Sequence, residues 1–83
     1  MTLLRIDVVR QKGVWGFEFL GRRGFFPASR NTQAQAFNEA RLRAGMQIAD
    51  GARGVTVRIH RANGRIREER TYPRSADPRR SRG

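Results

Sequence analysis

Leu4, Ile6 and Val8 alternate with Arg5, Asp7 and Val9 near the start of the chain. A period of two marks a strand that buries one face and wets the other. Gln11, Lys12 and Gly13 interrupt the pattern, and Val14 to Leu20 restores it, with Trp15, Phe17 and Phe19 on one face and Val14, Gly16 and Glu18 on the other. The two runs read as an antiparallel hairpin whose aromatic face needs cover. Gly21-Arg22-Arg23-Gly24 signals another turn. Phe25-Phe26 before Pro27 reads as a short third strand, limited because proline has no ladder donor. Neighbours on a strand point opposite ways, so Phe25 and Phe26 divide between the faces.

The period then changes. Thr32, with Gln35 three residues on, matches a capping box, in which each side chain satisfies a backbone donor of the other. Phe37, Ala40, Ala44 and Ile48 follow at spacings of three and four, flanked by Ala36 and Met46, as expected for a helix packed on a sheet. Gly45 costs that helix about 1 kcal/mol relative to alanine. Because Ile48 stays in phase beyond it, the pattern predicts a helix running on towards Asp50-Gly51.

Alternation returns at Val55, Val57 and Ile59, interleaved with Thr56, Arg58 and His60. Asn63-Gly64 is the strongest turn signal in the chain, since both residue types accept the positive φ of a type I′ hairpin. A two-residue loop there pairs Ala62 with Arg65, Arg61 with Ile66, His60 with Arg67, Ile59 with Glu68, Arg58 with Glu69 and Val55 with Tyr72. One hairpin face then carries Val55, Val57, Ile59, Ile66 and Tyr72. The other carries Thr56, Arg58, His60, Arg65, Arg67, Glu69 and Thr71. From Pro73 on, "PRSADPRRSRG" has no apolar run, and its composition predicts a disordered basic tail over 73–83. The expected fold is α+β: one domain over 1–72, an antiparallel sheet of four or five strands in the order β-β-(β)-α-β-β, and one helix on one face.

Length and composition narrow the possibilities further. Eighty-three residues leave room for one thin core. The absence of cysteine removes disulfides and thiolate metal ligands and fits a reducing compartment, and a single histidine makes no zinc site. Charge comes too early at the N-terminus for a signal peptide, and no run approaches the roughly 20 apolar residues of a membrane span. These features lead to the expectation of a cytoplasmic protein with no membrane partner and no cofactor.

Charge changes the picture most. Eighteen Lys plus Arg face seven Asp plus Glu, a net +11. Residues 1–72 keep +8 of it, from 14 basic and 6 acidic side chains. Such a balance favours polyanions through phosphate contacts and counterion release. Seventeen of the eighteen cations are arginine, which a G+C-rich genome also produces without selection for binding. The guanidinium fork suits phosphate because it can hold two oxygens at once. Arg58, Arg61, Arg65 and Arg67 of the hairpin, with Arg74, Arg79, Arg80 and Arg82 of the tail, form the candidate DNA- or RNA-binding set. A solvated face that guards an edge strand from aggregation is the plainer account of the same residues.

Other features weigh less. Trp15, Phe17 and Phe19 resemble a base-stacking platform, but a helix stripe made mostly of alanine needs large side chains from the sheet, which favours burial. His60 lacks an acid-base partner if its neighbours are arginines, so it reads as a surface residue. Glu68 and Glu69 point to opposite faces, and Glu69 is expected to pair with Arg58. Gly13-x-x-Gly16 and Gly21-x-x-Gly24 are too short for phosphate loops and read as turns. No nucleophile, base and orienting group can be assembled, so the chain reads as a non-enzyme.

The segments "VWGFEF", "TQAQAFNEARLRA" and "VTVRIHRANGRIREERTY" together resemble a family of short bacterial proteins of unknown function. Its members share a Trp-bearing second strand, a Thr-capped helix and a C-terminal N-G-R-I-R-x-x-x-x-Y hairpin. The matching positions are Trp15, Thr32, Ala36, Ala40, Gly64, Arg65, Ile66 and Tyr72. The stretch "GRRGFFPASR" is longer than the family's usual second loop. The resemblance implies a compact α+β domain and lends no catalytic residues. Two expectations for function therefore stand: a small basic protein that contacts nucleic-acid phosphates, or a protein-interaction or regulatory module, including a homodimer formed by sheet-edge pairing.

Overall fold

The computed structural model describes residues 4–72. The tail expected over 73–83, with Arg74, Arg79, Arg80 and Arg82, lies outside the described residues. Strand β1 (Leu4–Gln11) and strand β2 (Val14–Phe19) form the first hairpin, and a two-residue strand β3 (Phe26–Pro27) pairs with β2. Helix α1 (Gln33–Ala49) precedes the second hairpin, β4 (Val55–His60) and β5 (Ile66–Tyr72). The five strands form one sheet in the order β3-β2-β1-β4-β5.

The fold is α+β as expected, but the sheet is mixed, because β4 pairs with β1 in parallel. The cause lies in the segment before the helix. β2 runs back to the end where β1 starts, and β3 carries the chain up again, so α1 begins beside the hairpin turns. The helix then returns the chain to the end where β1 began. β4 must leave in the same direction as β1, the usual outcome of a helical crossover.

The core lies between α1 and one face of the sheet. Ile6, Val8, Phe17, Val55, Val57 and Ile59 point from the strands towards Ala36, Ala40 and Ala44 of the helix. Each large side chain buried there contributes about 1.5–3 kcal/mol. The three alanines are fully buried and let the helix lie close to the sheet, so the volume comes from the strands. Trp15, Phe19, Phe37, Ile48 and Tyr72 pack around this centre. Met46, expected beside the stripe, is instead exposed.

Three local expectations are refined. Thr32 caps the helix, its Oγ1 accepting from the Gln35 N–H at 3.1 Å. The reciprocal half of the box is absent, because Gln35 Nε2 donates to Glu39 (2.8 Å) and Ser29 Oγ (3.1 Å). Phe25 and Phe26 do divide between faces: Phe26 stacks on Phe17 at 5.3 Å, and the Phe25 ring lies over Gly16 on the far side. Gly16 is thus a close-approach position inside a strand, not part of a turn.

Candidate nucleic-acid interface

Of the two hairpins, the first takes the turn expected of the second. Lys12 and Gly13 both have positive φ, 50° and 82°, as a two-residue type I′ loop requires. Between β4 and β5, Gly64 alone is left-handed, at 89°, and the loop holds three residues. It is closed by Arg61 N–H to Arg65 O (2.7 Å) and Gly64 N–H to Arg61 O (2.9 Å), while Asn63 Oδ1 accepts from the Arg65 N–H at 3.0 Å. Asn63 therefore uses its side chain to fix the turn and does not supply a left-handed backbone.

The extra loop residue shifts the register at the tip. Pairing follows expectation at Val55↔Tyr72, Arg58↔Glu69 and Ile59↔Glu68, then jumps to His60↔Ile66 with a bulge that leaves Arg67 unopposed. Released from the alternation, Arg67 reaches the helix side and donates to Gln33 Oε1. Gln33 also donates to His60 O at 2.8 Å, so the helix start is tied to both strands of the hairpin.

This corrects the expected cationic face. Arg58 lies on the side away from the helix, where its Nε donates to Glu69 Oε2 at 2.8 Å. Arg67 lies on the helix side, and Arg61 and Arg65 stand exposed at the loop. Hence Arg58, Arg65 and Arg67 do not share one outward surface. His60 is also not the isolated surface residue expected. Parallel pairing sets Asp7 level with Arg58, next to His60, and His60 Nε2 lies 3.1 Å from Asp7 Oδ1. Its Nδ1 lies 3.3 Å from Gly64 O. The imidazole therefore lies between the turn and β1. Asp7 is held on its other side by Arg5 at 3.2 Å, and Thr56 meets Thr71 at 3.1 Å, so over β1, β4 and β5 the face without a helix carries linked polar side chains, while the Phe25 ring lies on it over Gly16 of β2.

The strand directions gather a different set of cations. The Lys12-Gly13 turn, the Ala62-Asn63-Gly64 loop and the start of α1 all lie at one end of the sheet. Asn31 joins them, donating to Gly13 O at 3.0 Å and accepting from the Trp15 N–H at 2.7 Å. Arg10 points up to the first turn, its Nη2 about a van der Waals contact from a side-chain position at Gly13. Two residues past the Val8↔Ile59 pair, Arg10 is level with Arg61, whose backbone is bonded to Arg65. Arg10, Lys12, Arg61 and Arg65 therefore lie at the same end of the sheet. Among the described residues, none of them has a carboxylate within ion-pair distance, and the first turn of the helix carries no acid. Arg10 and Lys12 were missed because tertiary pairing, not sequence proximity, puts the two hairpin tips side by side.

Among the described residues no cluster of metal-ligating side chains occurs, and no helix is long and apolar enough to cross a membrane. No curated protein and no solved structure matches the chain. Residues 28–72, from just before the helix to the end of β5, match a family described as "Uncharacterized protein conserved in bacteria (DUF2188)". That stretch is more than half of the chain and includes Arg58, Arg61, Arg65 and Arg67, while β1 and β2 lie outside it. The protein belongs to this bacterial DUF2188 family.

Proposed function

We propose that this is a small basic protein that contacts nucleic-acid phosphates through the end of its sheet where the two hairpin tips meet. The observation that carries the reading is the placement of Arg10, Lys12, Arg61 and Arg65 at one end of the sheet, without an ion pair among the described residues, beside a helix whose first turn carries no acid. The backbone N–H groups and dipole of that terminus add to the attraction for an anion. Arg67 contributes as a positioning residue, holding the hairpin to Gln33. Arg74, Arg79, Arg80 and Arg82 of the tail add sequence-independent attraction, which falls with salt. Arg58 is held by Glu69 and is left out of the contact set.

Fluorescence anisotropy of labelled single-stranded and duplex oligonucleotides, at two salt concentrations, tests this. Binding should weaken steeply with salt. Arg61→Ala and Arg65→Ala should each lower the log–log salt slope on duplex by about 0.9, the value for one phosphate contact. Arg58→Ala should change it little. Undetectable binding at low salt would remove the reading.

A further inference from the structure

We propose a second binding surface, a groove between β3 and helix α1 that takes an acidic amphipathic helix from a protein partner. The groove is lined by Phe26 and Pro27 on one wall and by Leu42, Arg43 and Met46 on the other, and encloses about 370 Å³. That lies at the lower end of the roughly 300–1,000 Å³ of ligand sites. Three of its apolar residues are exposed: Phe26 is 38%, Met46 59% and Leu42 63% exposed. Exposed apolar surface gathered in one place marks interaction sites more often than the same residues scattered singly.

The shape and chemistry select the occupant. Strand addition at this edge is poor, because β3 has only two residues and one of them, Pro27, has no N–H to donate. A helix needs no such donors. Leu42 and Met46 are four apart on α1, so together they present one apolar ridge against which a partner's i, i+4 side chains can pack. The charges are cationic where the groove meets the aromatic cluster. The Arg43 guanidinium lies 5.5 Å from the Phe26 ring centre, and that of Arg22 lies 5.6 Å from the ring of Phe19, which itself meets Phe26 edge-on. Glu39, the acid on the groove, accepts three hydrogen bonds from Ser29 and Gln35 and stays charged, partly offsetting Arg43, so the cationic excess beside the groove comes from Arg22 and the net charge of the domain. A second copy of this chain would bring Arg43 against Arg43 between bodies that each carry +8 over residues 1–72, whereas an acidic partner relieves that charge.

The test uses a synthetic helical peptide with two leucines four residues apart on one face and glutamates beside them, and a control with every glutamate replaced by lysine. Anisotropy and amide chemical shifts of the full chain report binding. The acidic peptide should shift Phe26, Leu42, Arg43 and Met46 and bind about tenfold more tightly than the lysine control. Leu42→Glu, Met46→Glu and Arg43→Glu should each weaken it about tenfold. All three positions are exposed, and circular dichroism checks that each variant folds. Leu42→Ala and Met46→Ala, which keep the net charge, should weaken the peptide and leave oligonucleotide binding unchanged, so failure at one surface is told apart from failure at the other. Equal binding of both peptides, shifts centred on the hairpin tips, or self-association abolished by Leu42→Glu would each overturn the proposal.

Discussion

Gly16 shows how one residue can hold two layers of a fold together. A Cβ placed there would lie 2.3 Å from the Phe26 carbonyl oxygen and 2.6 Å from the Phe25 ring. Backbone cannot give by that distance, so Gly16→Ala should cost about 2 kcal/mol or more, read as a lower urea midpoint. The turns provide the opposite case. Lys12 occupies the left-handed region at φ 50°, where a side chain is strained and asparagine is better tolerated. Lys12→Asn should therefore raise stability by up to about 1 kcal/mol in the same assay, while weakening oligonucleotide binding. Gly64→Ala, at φ 89°, should lower stability by about 1 kcal/mol.

At the scale of elements, what the sequence made legible divides along a physical line. Strand alternation, the Thr32 cap and the alanine stripe are local patterns, and β1, β2, α1, β4 and β5 follow from them. Loop length at Asn63-Gly64 was not legible, because Asn can fix a turn either by adopting positive φ or by accepting a hydrogen bond through its side chain. It does the latter, and that one residue moves Arg67 to the other side of the hairpin. The parallel β1–β4 pair, and with it the Asp7–His60 contact, depends on a long-range crossover that no local period encodes.

The loop before α1 gives this scale its pH dependence. Hydrogen bonds from Gln35 and from the Ser29 hydroxyl and N–H hold the Glu39 carboxyl below its ordinary value of 4.5. A folded-state pKa that is lowered contributes stability present above the unfolded value and lost as pH falls through the folded one. Urea unfolding from about pH 5 to pH 3 should show this acid loss in the native chain, and Glu39→Gln should flatten it. Solvent exposure keeps the effect small.

The whole molecule has two faces of different character and two candidate surfaces at different places. The face away from the helix holds ion pairs, Arg58 with Glu69 and Arg5 with Asp7, and these withdraw cations that a count of arginines would assign to ligand. Of the cations without an ion pair among the described residues, Arg10, Lys12, Arg61 and Arg65 lie at the end of the sheet with the two hairpin turns, while Arg22 and Arg43 lie over the aromatic rings near β3. The apolar groove lies along the β3 edge. A net charge read from composition therefore becomes informative only after pairing has been subtracted from it.

The most direct measurement is an amide chemical-shift map of the full chain with a short DNA or RNA oligonucleotide added at low salt. Shifts centred on Arg10 to Gly13 and on Arg61 to Arg65, fading as salt is raised, are the predicted result. Shifts confined to Arg58 and its neighbours on the ion-paired face, or no shift at all, would contradict it.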